Sequence, residues 1–188
     1  MKLLTSFLPG ELRIERGKAA DYRTLEAYHY RRGRPASWAQ IWTIRYVPPP
    51  EPPGARAQAR LTSRVAAVAV VSYPIPNCLP RRRALGLVCS APEQLAFANQ
   101  HIRSISRVIV HPQFRALGLS AILVRWICEH CDTRYVEALA AMGRAHPFFE
   151  RAGMKRYEST KENNAVYYLF DRERKGDRPD RPPFSAHQ

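Results

Sequence analysis

Residues 106–120 read Ser106-Arg-Val-Ile-Val-His-Pro-Gln-Phe-Arg-Ala-Leu-Gly-Leu-Ser120, and this stretch decides the fold. Val108, Ile109 and Val110 are β-branched and close a strand expected over 102–111. A short turn carrying Arg115 and Gly118 follows. A helix then opens over 117–131, with Leu119, Ile122, Leu123, Trp126 and Ile127 on one face. The first turn of a helix leaves backbone N–H groups without intrahelical partners. Together with the helix dipole, these groups bind anions. Gly118 has no Cβ, so a phosphate can approach the backbone closely. Ser120 adds a hydroxyl and Arg115 a positive charge. The local expectation is a pyrophosphate held by residues 115–120, with an ordinary strand–turn–helix connection as the plain alternative.

Outward from this string the elements alternate. Downstream, a strand is expected over 135–141, a short helix over 146–152 stopped by Gly153, and closing strands over 155–159 and 165–171. A Lys-Glu-Asn-Asn turn joins the last two. Upstream, 11–16 (ELRIER) alternates apolar and charged residues as a strand does. Residues 18–30 carry Ala20, Leu25 and Tyr28 on a helical stripe. Residues 39–47 and 64–73 read as hairpin strands across the Pro-rich loop 48–54. Residues 74–83 read as irregular, with Arg81-Arg82-Arg83 a solvated cluster. Residues 92–100 read as a short helix with Pro92 at its start. One domain over 1–172 is expected, followed by a charged, Pro-rich, disordered tail over 173–188.

The central string resembles the signature of the GCN5-related N-acetyltransferase (GNAT) superfamily: Arg or Gln, two residues, Gly, one residue, then Gly or Ala. Here it stands as Arg115-Ala-Leu-Gly118-Leu-Ser120. The later His146-Pro-Phe-Phe-Glu-Arg-Ala-Gly-Met154 is similar to the family's second motif, at the usual separation with one strand between. The resemblance implies an α/β (α+β) fold: a mixed, mostly antiparallel sheet of six or seven strands, flanked by helices, whose fourth and fifth strands splay apart. Acetyl-CoA or another acyl-CoA would lie in that gap. The backbone of Val108, Ile109 and Val110 would hold the pantetheine. The N–H groups of Arg115, Ala116, Leu117, Gly118, Leu119 and Ser120 would hold the pyrophosphate. An acceptor amine would attack the thioester directly, helped by positioning and proton removal.

Two departures bear on the chemistry. Phe149 stands where many members have a Tyr that protonates the leaving thiolate, and Met142 stands where Asn is frequent. Tyr167, Tyr168 and His146 are substitutes by residue type, and Glu137 is a candidate base. Each also has a plain reading, as packing, as a helix start or as a strand residue. The first helix and its following loop shape the acceptor pocket in this superfamily, which points to Tyr28, His29, Tyr30 and Arg31 here.

The net charge is +14, with 25 Arg and 5 Lys against 16 Asp and Glu. That balance favours acidic partners: nucleic acid, acidic proteins or a cofactor's phosphates. Aromatics interleaved with Arg at residues 28–35 suit stacking on bases. A GNAT-like enzyme that modifies a base in DNA or RNA, as the Mom-like relatives modify adenine, is therefore one alternative to an N-acetyltransferase. A non-catalytic acyl-CoA-binding or partner-binding module is another, motivated by Phe149. Residues 28–31 with 106–154 are also similar to acetyltransferase-like proteins found alone or joined to ABC-type ATPases, which adds such an ATPase to the expected associates. The superfamily's frequent dimers extend that expectation to a homodimer. Cys78, Cys89, Cys128 and Cys131 fit neither a disulfide framework nor paired zinc spacing. Cys128 and Cys131 are expected one turn apart on a helix, partly buried, and no metal is expected. No run reaches the roughly 18–20 apolar residues of a membrane span, and the first residues lack a signal peptide's pattern. A cytoplasmic protein is expected.

Overall fold

The computed structural model describes residues 2–3, 10–30, 33–49, 64–143, 145–157 and 165–174. Eight strands form one sheet in the order β1-β2-β3-β4-β5-β6-β8-β7. They are β1 (Lys2–Leu3), β2 (Glu11–Arg16), β3 (Gln40–Val47), β4 (Val65–Ser72), β5 (Ile102–Val110), β6 (Tyr135–Ala140), β7 (Lys155–Tyr157) and β8 (Val166–Asp171). Adjacent strands run antiparallel except β5 and β6, which are parallel. The expected mixed, mostly antiparallel α/β architecture is present. The count exceeds seven only through the two-residue β1.

Helices cover both faces. One face carries α4 (Leu119–His130) and α5 (Phe148–Arg151), which pack Leu119, Leu123, Val124, Ile127 and Phe149 against Ile44, Ala67, Ala69, Val136 and Tyr168. The other face carries α1 (Ala19–Leu25), α2 (Leu79–Leu85) and α3 (Ala91–His101). There Tyr22 and Leu25 meet Val68, Val70 and Ile109, while Leu85 and Ala98 meet Ile102, Tyr135 and Tyr167. Strand β4 explains how one sheet serves both layers. All eight of its residues are buried, as the unbroken Val/Ala run of a doubly covered strand requires.

Several expectations change. The segment 74–83 is not irregular throughout: Leu79–Leu85 is helical, with Pro80 in the first turn, where a missing N–H costs nothing. Of the Arg triplet, Arg82 and Arg83 are exposed as expected, but Arg81 is only 3% exposed. The helix expected over 18–30 ends at Leu25 and continues as a 3₁₀ turn over Glu26–Tyr28. Its buried residues are Tyr22 and Leu25, whereas Ala20 and Tyr28 are exposed. Cys128 and Cys131 are fully buried rather than partly, and free. Glu173 and Arg174, assigned to the tail, belong to a 3₁₀ turn Arg172–Arg174 in which Glu173 pairs with Arg134. The remainder of that tail, the loop over 50–54, the Lys-Glu-Asn-Asn turn and Arg31 lie outside the described residues. Among the described residues, no helix is long and apolar enough to cross a membrane.

Candidate active site

The site begins where two parallel strands part. Strands β5 and β6 pair at Ile102↔Tyr135, Arg103↔Val136 and Ser104↔Glu137, and no further. Beyond Ser104, β5 stays with β4 while β6 stays with β8. A bulge at Ser106 marks the parting: Val71 faces Ile105 but Val70 faces Arg107, leaving Ser106 as the extra residue. Bulges bend a strand and re-aim its side chains. This one is fastened by hydroxyls. The Ser106 Oγ lies 2.7 Å from the Ser72 Oγ and 3.2 Å from the Val70 carbonyl oxygen. The Ser72 hydroxyl also donates to the Ser37 carbonyl at 2.6 Å.

At the end of β5 the chain makes a 3₁₀ turn, Pro112–Phe114, and reaches α4 through two left-handed residues, Ala116 (φ 65°) and Gly118 (φ 71°). Backbone turns of this kind form anion-binding concavities. An alanine at positive φ costs roughly 1–2 kcal/mol, strain of the sort that concentrates at functional sites. Gly118 is the N-cap of α4, and no side chain caps it. A Cβ built on Gly118 would meet nothing within 4 Å, so the space before the helix start is open. Arg115 is exposed there, and Phe114 is fully buried beneath. Burial and then the charge of Arg115 push the His111 pKa down.

The gap opens into a cavity of about 280 Å³. Residues 105–108 of β5 form one wall, and Leu139 and Ala140 of β6 the other. His29 and Tyr30 lie on the α1 side, while Met142, Gly143, His146, Phe148 and Phe149 close the α5 side.

The acetyltransferase (GNAT) family model matches residues 38–154. The chain belongs to the GNAT acetyltransferase family. Among solved structures, Arabidopsis thaliana NAA60 in complex with acetyl-CoA is similar at 11% identity and TM-score 0.53, covering 85% of this chain and 96% of that one. A putative GNAT-family acetyltransferase from Desulfovibrio desulfuricans is similar at 11% identity and TM-score 0.50, covering 85% and 98%. Likeness at such identity reflects the shared fold. No curated protein matches the sequence.

Within this GNAT fold the four residues singled out for proton transfer do not come together. His146 is exposed and lines the cavity. Tyr168 is fully buried under Phe149, the ring centroids 5.0 Å apart and nearly parallel. Its hydroxyl donates to the Gly143 carbonyl at 3.1 Å. Gly143 is required for this contact, because a Cβ there would lie 2.9 Å from the Val166 Cβ and 3.0 Å from the Tyr168 ring. Tyr167 and Glu137 point to the opposite face of the sheet. There Arg81 grips Glu137 with two hydrogen bonds, from Nε at 2.8 Å and Nη2 at 2.7 Å. The Tyr167 hydroxyl donates to the same carboxylate at 2.9 Å, and the Arg81 Nη1 donates to the Ile75 carbonyl at 2.9 Å. Burial, then the charge and hydrogen bond of Glu137, push the Tyr167 pKa far up. Burial pushes Arg81 down, but the hydrogen bond and charge of Glu137 outweigh it and raise its pKa.

Of the acceptor-side residues, His29 and Tyr30 line the cavity, while Tyr28 turns to His111, with ring centroids 5.2 Å apart. Sequence reading missed Leu139, Phe148, Gly143 and Arg107. The first two are apolar and announce nothing. Gly143 was open to notice, being a glycine one residue after Met142, but the ring it serves is 25 positions away.

Proposed function

We propose that this GNAT protein is an acetyl-CoA-dependent N-acyltransferase. The observation that carries the reading is the parting of β5 and β6 after Ser104↔Glu137, in line with the uncapped start of α4 at Gly118. Acyl-CoA fits the residues present. Beyond Ser104, the edge of β5 that faces β6 has no strand on it among the described residues, so the backbone of Val108, Ile109 and Val110 offers hydrogen bonds to pantetheine amides. Arg115, the turn through Ala116 and Leu117, and the first-turn N–H groups of Leu119 and Ser120 suit a pyrophosphate. When bound, acyl-CoA supplies an activated acyl group on a thioester. The chain's own task is to bring an amine to it and to manage one proton.

Support for His146 as the group that takes the amine proton is its exposure and its place on the cavity wall, with imidazole suited to proton transfer near neutrality. Tyr168 acts by shape: it carries Phe149 and anchors Gly143. Tyr167 and Glu137 serve structure, since each is occupied by the other and Glu137 also by Arg81. No carboxylate lines the cavity among the described residues. An amine entering beside Arg107 is therefore held toward its neutral, nucleophilic form, because a nearby like charge disfavours the ammonium. Attack forms the C–N bond and breaks the C–S bond; the amine proton leaves and the departing thiolate gains one.

The reading is tested by following free-thiol release from acetyl-CoA with a panel of amines, with mass spectrometry of the products. Amine-dependent thiol release with the acetyl group on nitrogen is expected. Thiol release that does not depend on any amine, or an acetyl group on oxygen, would contradict it.

A further inference from the structure

Some arginines in this protein are matched to carboxylates. Arg45 pairs with Glu15 and Asp21, Arg81 with Glu137, and Arg134 with Asp171 and Glu173. Arg107 is held by carbonyl oxygens instead. It stands on β5 directly after the Ser106 bulge and lines the cavity. Its Nη1 donates to the Ser106 carbonyl at 2.8 Å and its Nη2 to the Gly33 carbonyl at 3.3 Å. Two neutral carbonyls fix the guanidinium without cancelling its charge. Its Nε is buried and, among the described residues, has no hydrogen-bond partner.

The rest of the cavity agrees. Among the described lining residues there is no Asp or Glu, and Arg107 is the one guanidinium. Apart from the two imidazoles, its neighbours are apolar, hydroxyl or aromatic, including Tyr30, Leu139 and Met142. In such surroundings a fixed cation attracts an anion more strongly than it would in water, and guanidinium geometry matches carboxylate and phosphate. A second cation entering the cavity would be repelled. At about 280 Å³ the space lies at the small end of ligand sites.

From this we infer that Arg107 is an acceptor-binding residue and that the acceptor is an amine which also carries an anionic group, a carboxylate or a phosphate. The inference rests on the acyltransferase reading, and the test separates the two.

Full-length protein is assayed by thiol release from acetyl-CoA with matched acceptors: α-amino acids against their amides, and O-phosphoethanolamine against ethanolamine. Spermidine serves as a cationic reference. The first pair reports a carboxylate preference and the second a phosphate preference. In at least one pair the anionic member is expected to show kcat/KM roughly ten- to a hundredfold higher, the worth of one charge-assisted hydrogen bond, with the difference mainly in KM. Arg107→Gln should erase that preference without changing the acetyl-CoA Kd measured by calorimetry, and Arg107→Lys should keep part of it. Three results would overturn the inference. They are equal or better use of the neutral and cationic acceptors, a uniform loss of kcat across all acceptors in Arg107→Gln, and no turnover of any acceptor while acetyl-CoA binds. Failure of the wild-type protein to bind acetyl-CoA would instead bring down the acyltransferase reading, and this inference with it.

Discussion

Replacing Glu137 by Gln separates a structural ion pair from a catalytic base. The substitution keeps the shape of the side chain and removes its charge. Arg81 and Glu137 have side chains only 3% and 4% exposed, with a shortest contact of 2.7 Å. Removing one charge leaves the Arg81 guanidinium buried without a counter-ion, which costs about 3–5 kcal/mol. The weakened bond from the Tyr167 hydroxyl falls within that figure, because it shares the same carboxylate. For a chain of this size the loss corresponds to a fall in Tm of about 6–20 °C. Equilibrium unfolding in urea measures it directly. The double variant Arg81→Met/Glu137→Gln removes both charges and retains an acceptor for Tyr167, so it should recover much of the lost stability. kcat, measured well below the unfolding transition, should fall by less than about threefold in Glu137→Gln, since general-base loss would cost about 10²–10⁴-fold. A stability change under about 1 kcal/mol, within the range of an ordinary exposed pair, would refute the structural reasoning. An intact fold with kcat reduced a hundredfold would make Glu137 the base.

Other outcomes follow from the same geometry. Gly118→Ala forces a Cβ onto a residue at φ 71°, costing roughly 1–2 kcal/mol, and it fills the space before α4; acetyl-CoA affinity by calorimetry should fall about tenfold or more. Phe149→Tyr places a phenol on the cavity wall and should raise kcat with little change in KM, whereas an unchanged kcat would exclude proton donation from that position. His146→Gln should lower kcat and flatten the pH–rate profile while leaving the urea midpoint unmoved, because the side chain is exposed. Alkaline stability should be limited by the buried thiols. Burial first, and neighbouring charges next, push Cys128 far above its ordinary 9.0. A group whose folded pKa is raised holds its stabilising effect below the unfolded value, so stability should be intact below pH 9 and decline above it. The decline should be about 1.4 kcal/mol per pH unit for this thiol. Cys128→Ala should remove that part of the slope, and an unchanged slope between pH 9 and 11 would contradict the burial.

What was legible in the sequence was what lies close together along it. The strand, turn and helix proposed to cradle an anion occupy residues 102–130 without interruption, and Gly118 and Arg115 mark the turn by residue type. The hairpin strands on either side of the Pro-rich loop were legible because β-branched runs are local too. The buried pair was not. Arg81 sits in an arginine triplet, and arginines are rarely buried without a partner; the partner, Glu137, is 56 residues away. The helix holding Arg81 was missed because Cys-Leu-Pro reads as loop, although proline is at home in a first helical turn. The stripe on α1 was misassigned because Tyr22, not Tyr28, turns inward, a choice made by Val68 and Val70 on a strand far along the chain. Arg107 was hidden for a related reason: its place in the cavity depends on the Ser106 bulge, which only pairing with β4 creates.

The start of α4 is proposed to grip the pyrophosphate of an acyl-CoA lying between β5 and β6. Thermal unfolding with acetyl-CoA beside acetyl-pantetheine, which has the thioester and pantetheine arm but no pyrophosphate, tests it most directly. At a hundred times its Kd, acetyl-CoA should stabilise the protein by about 2.7 kcal/mol, a rise in Tm of about 5–11 °C. Acetyl-pantetheine at the same concentration should give little shift, and Gly118→Ala should lose about half or more of the rise seen with acetyl-CoA. No shift with acetyl-CoA, or equal shifts with the two compounds, would contradict the account.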